Sequence, residues 1–291
     1  WFWWGATALL LALIGSAISV SFVNRPLAQL ARVARQVARG QIPSPLPQAG
    51  PLEVREMNDA FNRMLSDLRR IEADREIMLA GISHDLRTPL ARMRLEIEMS
   101  NVDDEARQAI DEDLAQVDHS IGQLMEYARP AAALPEKGID ISKVLQDIYE
   151  RERTHTEALG GHLTADIPDK LTARITAHDL KRIVGNLIEN ARRYGRSPVD
   201  DSCHIHLSAR QERSQTFIEV SDKGAGVEAS EIERLLRPFS RGEAARTGVS
   251  GAGLGLAIVE RLLGHVGGRL TLISPPSGGL IARIALPLAR H

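Results

Sequence analysis

The first 23 residues of the chain carry no charged side chain. As a helix, this run would span roughly 35 Å, enough to cross a hydrocarbon core about 30 Å thick. The pattern predicts a transmembrane helix over 1–23 with the following residues in the cytoplasm, because tryptophans suited to a membrane interface precede a basic flank, at Trp1, Trp3 and Trp4 and then Arg25, Arg32, Arg35 and Arg39. The alternative is a cleaved signal peptide, but no basic segment precedes the run.

Four amphipathic stripes follow, with apolar residues three or four positions apart, as in helices that bury one face. The first two flank a proline-broken connector at 40–51 and consist of Leu27, Leu30, Ala34, Val37 and then Val54, Met57, Phe61, Met64, Leu68, Ile71. The other two flank a turn at 100–105 and consist of Ile82, Leu86, Leu90, Met93, Ile97 and then Ile110, Leu114, Val117, Ile121, Leu124. Asp103 or Asp104 is suited to cap the last helix. A two-helix hairpin has only a thin core, so we predict a dimeric four-helix bundle.

Helical and strand patterns alternate over about the last 150 residues. The helical ones lie at 139–160 and 254–267, and the strand-like ones at 204–210, 216–222, 269–274 and 280–288. This order predicts an α+β domain, with a mixed sheet covered by helices on one face. The fold class is therefore multidomain, with a transmembrane helix at 1–23, a coiled-coil linker module at 24–75, a helical hairpin at 76–130 and the α+β domain at 137–291.

Composition narrows the range of functions. Lys and Arg number 36 against 38 Asp and Glu, a net charge of −2, which argues against direct nucleic-acid binding as the main activity. The one cysteine, Cys203, excludes a disulfide framework and fits a reducing compartment.

One histidine has neighbours that suit chemistry. In the segment GISHDLRTPL, His84 lies roughly 160° around the helix from the apolar stripe and is expected to face solvent. Asp85 can bind one ring nitrogen and leave the other as a nucleophile. Thr88 lies one turn further on, and Pro89 is expected to bend the helix just beyond. Without these neighbours, one exposed histidine among nine would carry no functional meaning.

A first nucleotide motif lies in HDLKRIVGNLIENARRYG. Asn186 and Asn190 share a helix face, where amide oxygens suit Mg²⁺ held jointly with phosphates. Arg193 and Tyr194 follow on the same helix. Arg193 offers a positive charge for phosphate, and Tyr194 offers a stacking or hydrogen-bonding group. Taken alone, the two asparagines fit a solvated helix surface equally well.

Two glycine motifs complete the candidate site, which is not a P-loop because no G-x-x-x-x-G-K-[ST] occurs. In EVSDKGAGV a strand ends at Asp222, whose carboxylate can accept a hydrogen bond from an exocyclic amine such as that of adenine. Gly224 and Gly226 let the backbone approach the ring closely. In GVSGAGLGLAIVERL a helix start favours phosphate after Gly251, Gly253 and Gly255. The intervening basic segment offers two side chains that could close over a triphosphate, Arg241 and Arg246.

Together these motifs resemble the sensor histidine kinases of two-component systems. Residues 24–75 resemble a HAMP linker, and GISHDLRTPL resembles the phosphoacceptor box. The later motifs resemble the asparagine, D-x-G-x-G, phenylalanine and glycine boxes of the Bergerat-type ATPases, which adds Phe239 and Leu254 to the site. The match looks closest to the EnvZ-like, osmolarity-sensing branch. Two residues depart from the D-x-G-x-G box, Lys223 where Asn or Asp is usual and Ala225 where Pro is common.

The resemblance implies that His84 attacks the γ-phosphate of ATP, with Asp85 as the assisting base. Thr88 would position water for dephosphorylation of the partner. The implied cofactors are ATP and Mg²⁺, with Asn190 as the metal ligand. The implied nucleotide-binding residues are Asn186, Asn190, Arg193, Tyr194, Asp222, Gly224, Gly226, Phe239, Arg241, Arg246, Gly251, Gly253, Leu254 and Gly255.

The resemblance also implies partners and a location. The partners are a second copy of the chain, as a homodimer, and an OmpR-like response regulator; the location is the bacterial inner membrane. Because the chain begins with Trp, we expect a sensor region before it. One alternative stays open, an ATP-binding dimeric scaffold acting mainly as a phosphatase. A chaperone-type ATPase is excluded, because it would not need the exposed HDLRT helix or the membrane anchor.

Overall fold

The structure is a computed structural model that describes residues 2–38, 43–100, 103–129, 134–135, 137–212, 214–240, 252–276 and 278–288, without the side chains of 14–19 and 21–23. Its helices are α1 (Phe2–Ala38), α2 (Leu52–Met99), α3 (Asp104–Ala128), α4 (Ile141–Ala158), α5 (Ala177–Tyr194), α6 (Ala229–Leu235) and α7 (Gly255–Val266). Its strands are β1 (Ile139–Asp140), β2 (His162–Asp166), β3 (Thr172–Ala173), β4 (His204–Glu212), β5 (Gln215–Ser221), β6 (Arg269–Ile273) and β7 (Ile281–Pro287). The chain divides into two compact units, Trp1–Arg75 and Glu76–His291.

The first helix, α1, has 37 residues and contains Pro26. The uncharged run and the first amphipathic stripe, predicted as separate segments, therefore share one helix. Proline lacks an N–H and removes one helical hydrogen bond, but here it does not end the helix. Among the described residues, no helix is long and apolar enough to cross a membrane.

The proline-rich connector before α2 is held by side chains of that helix. Asn62 makes two hydrogen bonds with the backbone of Leu46, donating to its carbonyl at 2.9 Å and accepting its N–H at 2.8 Å. Asn58 and Arg69 donate to two further connector carbonyls. Side chains thus satisfy backbone groups that the prolines keep out of a helix. A small apolar cluster closes this unit, built on Val33, Leu46 and Leu65.

In the second unit, α3 runs antiparallel to the end of α2. Arg87 Nε donates to Asp118 at 2.9 Å, and Arg94 Nε donates to Asp111 at 3.2 Å, so the second pair lies seven residues later in α2 and seven residues earlier in α3. The predicted hairpin is confirmed. However, α2 is one helix of 48 residues, so this stripe and the one before it lie on the same helix. The third helix begins directly after Asp103, as predicted, but without a capping hydrogen bond from that side chain.

The rest of the second unit is built on a five-stranded sheet in the order β2-β4-β5-β7-β6. The first two strands are parallel and the other pairs antiparallel, so the predicted mixed sheet is confirmed. Helices α4, α5 and α7 pack on it. Alternate strand residues such as Ile205, Leu207, Ile218, Val220 and Ile284 are buried, whereas their neighbours on the other face are partly exposed. Period-two burial of this kind is expected where helices cover one face.

Several elements lie outside the predicted patterns. Strand β2 has few apolar residues, and β1 and β3 form only a two-residue antiparallel pair. The flanking helices, in contrast, have identifiable caps: Asp140 accepts the N–H of Ser142 at the start of α4, and Thr176 accepts the N–H of Asp179 at the start of α5. Gly267 ends α7 with φ of 74°.

Candidate functional site

The carboxylate of Asp222 lies just beyond the end of β5 and is fixed by backbone donors. Its Oδ1 accepts the N–H of Gly224 at 2.9 Å and that of Leu280 at 3.1 Å. Among the described residues, Oδ2 has no hydrogen-bond partner. Burial raises the pKa of the Asp222 carboxyl, and the two N–H groups act in the opposite direction. The site thus holds a carboxylate with one oxygen available to accept from a ligand.

Glycines allow the backbone to close tightly around this carboxylate. A Cβ on Gly224 would lie 2.7 Å from the Tyr194 carbonyl oxygen, and a Cβ on Gly195 would overlap the Asp222 side chain. Gly279, with φ of 84°, has no room for a Cβ against the Asp222 carbonyl oxygen. The end of α5, the turn after β5 and the turn before β7 therefore meet at Asp222 with no side chain between them.

The two predicted asparagines lie on α5, which packs against α7. Asn186 Nδ2 donates to the Arg182 carbonyl at 2.8 Å, and its Oδ1 lies 3.3 Å from the position a Cβ would take on Gly255. Asn190 is half-buried, and its side chain makes no hydrogen bond to the described residues, so its amide oxygen is available. These oxygens fit a hard cation bound jointly with phosphates, the donor set that Mg²⁺ prefers.

The phenylalanine and glycine segments are brought together by one backbone hydrogen bond. The N–H of Phe239 donates to the carbonyl of Gly253 at 3.0 Å, and both residues have positive φ, 61° and 68°. Phe239 is exposed. Leu254, in contrast, is fully buried in the domain core and stands at the N-cap position of α7 without a side-chain capping hydrogen bond. Three predicted residues, Arg241, Arg246 and Gly251, lie outside the described residues.

Arg193 and Tyr194, predicted to contact nucleotide, lie at the end of α5. The guanidinium of Arg193 binds Glu189 at 2.6 Å and His119 Nε2 at 2.8 Å. Tyr194 is exposed. Gly226, with φ of 78°, precedes Val227, whose N–H donates to Ser274 Oγ. The residues that depart from the expected motif, Lys223 and Ala225, are both exposed.

The predicted phosphoacceptor histidine faces solvent on α2. The side chain of His84 is 82% exposed, and its Nδ1 lies 3.4 Å from Asp85 Oδ1. The Thr88 hydroxyl donates to the His84 carbonyl at 3.2 Å. The structure thus brings the three predicted residues onto one exposed patch of the helix, with Nε2 of the imidazole open.

Some residues at the site were missed from the sequence. Gly195, Gly279 and Leu280 shape the pocket around Asp222. The pair of glycines shortly before β7 is the signal that could have indicated Gly279 and Leu280. The contacts of α3 with α5 and α7 were also missed, since no local sequence pattern encodes them.

An exposed histidine on a helical hairpin thus lies in one unit with an α+β domain whose loops converge on the half-buried carboxylate of Asp222. Three family descriptions match the chain: "HAMP domain" at 19–70, "His Kinase A (phospho-acceptor) domain" at 74–133, and "Histidine kinase-, DNA gyrase B-, and HSP90-like ATPase" at 175–290.

Curated relatives match along nearly the whole chain. Sensor protein CutS of Streptomyces coelicolor is 30% identical over 294 residues, which are 96% of this chain and 69% of that protein. Sensor histidine kinase GtrS of Pseudomonas aeruginosa is 29% identical, covering 96% of this chain and 56% of its own length. Signal transduction histidine-protein kinase BaeS of Escherichia coli is 27% identical, with 98% and 62% covered. The chain thus spans less than two thirds of the latter two.

The chain belongs to the sensor histidine kinase family. These relatives support the family as a whole and not the osmolarity-sensing branch in particular. Among solved structures, full-length ShkA in complex with AMPPNP has a TM-score of 0.56 at 23% identity, covering 74% of this chain and 46% of that one. Histidine kinase AdeS of Acinetobacter baumannii has a TM-score of 0.50 at 16% identity, covering 71% and 98%. Both likenesses concern the fold alone.

Proposed function

We propose that the chain is an ATP-dependent histidine kinase that transfers the γ-phosphoryl group of ATP to its own His84. The observation that carries this proposal is the open imidazole of His84 beside Asp85, in one chain with the carboxylate-centred pocket around Asp222. The phospho-acceptor and ATPase family descriptions that match the chain fit these two features.

The arrangement at His84 suits nucleophilic attack. When Nδ1 carries the ring proton, it donates to Asp85 Oδ1 and leaves the Nε2 lone pair facing solvent. Attack by Nε2 forms the phosphorus–nitrogen bond as the bond from the γ-phosphorus to the bridging oxygen breaks, which releases ADP. The ring gains positive charge in this step, and the adjacent Asp85 carboxylate stabilises it.

The pocket residues have distinct roles in holding the nucleotide. Oδ2 of Asp222 accepts the exocyclic amine of adenine, while Oδ1 stays bound to the backbone. The amide oxygen of Asn190 would hold Mg²⁺, with Asn186 beside it in the nucleotide site, and the ion would supply charge neutralisation at the phosphates. The N–H groups at the start of α7 face the phosphates. For the other nucleotide-binding residues, we propose the set that the sequence resemblance implies.

Half-exposed apolar side chains support a homodimer through the hairpin. On α2, Ile82, Leu86 and Met93 are 43%, 45% and 42% exposed, and Val117 on α3 is 45% exposed. Monomeric proteins rarely leave such a continuous apolar stripe in water. A second hairpin covering these side chains would complete the four-helix bundle.

The proposed phosphoryl acceptor after His84 is an aspartate of a response regulator, with an OmpR-like receiver as the specific proposal. Thr88 is the proposed residue for the reverse reaction, positioning water to dephosphorylate that aspartate. Its hydroxyl lies one turn from His84 on the same exposed patch. Attachment to the bacterial inner membrane rests on the uncharged run 1–23 and its basic flank.

Mass spectrometry of the intact chain tests the kinase proposal. After incubation with Mg²⁺ and ATP, we expect a fraction of chains to carry one added phosphoryl group, and none to do so after AMPPNP. A chain that binds AMPPNP but gains no phosphoryl group from ATP would contradict the proposal and favour the scaffold alternative.

A further inference from the structure

Three of the nine histidines of the chain lie close together on the open face of the five-stranded sheet. His204 and His206 alternate on β4 with the buried Ile205, so both side chains lie on the face opposite the helices. His162, on the edge strand β2, is the register partner of His204. Two neighbouring strands thus place three imidazoles at adjacent positions on one surface.

The rings of His162 and His204 lie against each other. Their centroids are 5.3 Å apart, and their planes are inclined by 22°. Neither imidazole makes a hydrogen bond to any residue that the structure describes, so their ring nitrogens are available to a ligand. Two imidazoles on one tetrahedral zinc ion have ring centres roughly 5 Å apart, because each Zn–N bond is about 2.0–2.1 Å. The observed spacing therefore suits a shared cation.

The third ring is oriented by Thr164, the register partner of His206 on β2. Thr164 Oγ1 lies 2.9 Å from His206 Nδ1 and 3.4 Å from the Ile205 carbonyl oxygen. A hydroxyl has one hydrogen, so when it donates to this carbonyl it accepts the N–H of Nδ1. The lone pair of His206 is then on Nε2. Metal-binding histidines typically have their second ring nitrogen held in this way.

The chemistry of the donors selects the class of ligand. Imidazole nitrogen suits zinc, copper and nickel ions, whereas the amide oxygens proposed for Mg²⁺ suit a hard cation. Cys203 is next to His204 in sequence, but its side chain is 2% exposed and lies on the helix-covered face. Among the described residues, no three ligand groups converge on one point. The rings must therefore turn as the cation binds, and the torsion that turns a histidine ring is broadly populated.

We propose that His162, His204 and His206 together bind one late first-row divalent cation such as Zn²⁺. The imidazoles fill three of the four positions of a tetrahedral ion, and water fills the fourth. This site lies on the sheet face opposite α5, which carries the asparagines proposed for Mg²⁺. The proposal is thus independent of the nucleotide site and adds a second kind of metal to the same domain.

Calorimetric titration of Zn²⁺ into the full chain tests the proposal, without an affinity tag, nucleotide or chelating buffer. We expect one high-affinity cation per chain. Loss of a residue that only orients a ligand weakens metal binding by about 10- to 100-fold, so loss of a ligand should cost about 100-fold or more. His162→Gln, His204→Gln and His206→Gln should each show this loss. His178→Gln is the matched control, because His178 is exposed but lies on α5, and it should bind Zn²⁺ as the unmodified chain does.

Thr164→Val tests the orientation of His206 without removing a ligand. Valine keeps the branched shape that suits a strand but cannot accept the N–H of Nδ1. Zn²⁺ binding should weaken by about 10- to 100-fold. Thr271→Val is the matched control, because Thr271 is exposed on the same sheet face but lies on β6. It should leave the affinity unchanged.

Losses in the three histidine variants and in Thr164→Val, with both controls unchanged, support the site. An unmodified affinity in any of the three histidine variants would overturn the three-histidine arrangement. Equal affinities of Thr164→Val and Thr271→Val would overturn the role of Thr164. Weak binding of several cations that no variant changes would show adventitious binding only. AMPPNP titration of the same variants reports separately on the nucleotide site, which these substitutions should leave intact.

Discussion

Asp222 and Leu280 are joined by two hydrogen bonds that use different parts of the aspartate. The N–H of Asp222 donates to the Leu280 carbonyl at 3.0 Å, and the N–H of Leu280 donates to Asp222 Oδ1 at 3.1 Å. The first bond continues the pairing of β5 with β7 beyond the strand ends. The second fixes the carboxylate, so sheet geometry orients the group proposed to recognise adenine.

We expect Asp222→Asn to lower nucleotide affinity without destabilising the domain. The amide keeps an oxygen for the N–H groups of Gly224 and Leu280 but presents a donor to the adenine amine. Loss of a hydrogen bond to a charged group corresponds to about 10- to 100-fold weaker binding. AMPPNP titration and thermal unfolding measure the two effects.

The stability part of this prediction follows from the raised pKa of Asp222. A raised pKa in the folded state means that stability from this group is fully present below the ordinary pKa and is lost as pH rises through the folded value. At neutral pH the partly buried charge is therefore unfavourable, and the Asn variant should unfold at an equal or higher temperature. A clear drop in its unfolding temperature would contradict this account.

Gly279→Ala should disrupt the same pocket through the backbone. Its φ of 84° and the overlap of a Cβ with the Asp222 carbonyl predict a loss of about 3 kcal/mol or more in unfolding free energy. Gly267→Ala is the matched control, because Gly267 has φ of 74° with no atom near a Cβ. Gly267→Ala should lose only the unfolding free energy that corresponds to backbone strain, about 1–2 kcal/mol. Denaturant unfolding compares them, and equal losses would show that the close approach is unimportant.

The contact of His119 with Arg193 should depend on pH. Burial, and then the Arg193 cation, lower the pKa of His119 below its ordinary 6.5, against the opposing charges of Glu189 and Asp118. Stability from the neutral form is fully present above 6.5 and is lost as pH falls from there through the lowered pKa. His119→Gln keeps an acceptor that does not titrate.

Between pH 7.5 and 5.5, about one unit either side of the ordinary histidine pKa, the unmodified chain should therefore lose unfolding temperature relative to His119→Gln. The exposed His178, on α5, serves as a control, and His178→Gln should follow the unmodified chain. Parallel curves for the unmodified chain and His119→Gln would contradict the contact.

The apolar stripe of the hairpin should control dimerisation. Leu86→Glu places a charge on the half-exposed stripe and removes burial of about 1.5–3 kcal/mol, which predicts at least tenfold weaker association. Leu95 is more exposed and lies on the opposite side of α2, so Leu95→Glu should leave the dimer intact. Sedimentation equilibrium measures both variants. Equal association of the two would place the dimer contact elsewhere.

Periodicity explains which features were predictable from the sequence. The stripe through Ile82 and Leu86 predicted the hairpin and placed His84 on the open side, because a helix repeats every 3.6 residues. The alternation around Ile218 likewise predicted a strand ending at Asp222. Both are local sequence patterns, and the helix or strand geometry places their apolar side chains on one face of the element.

Contacts distant in sequence were not predictable in the same way. Leu280 reaches Asp222 only because β5 pairs with β7, and strand pairing has no local signature in either segment. Arg193 was predicted as a phosphate ligand, but the fold brings His119 to it from 74 residues away. That α2 is one continuous helix was also missed, although the residues between its two apolar stripes are all compatible with a helix.

Locating the phosphoryl group tests the central claim most directly. The full chain, His84→Ala and the control His178→Ala are incubated with γ-labelled ATP and Mg²⁺, and the label is then exposed to acid and to alkali. We expect acid-labile, alkali-stable label on the unmodified chain and on His178→Ala, and none on His84→Ala, although that variant still binds AMPPNP. Label that persists on His84→Ala, or label that is stable to acid, would contradict phosphoryl transfer to His84.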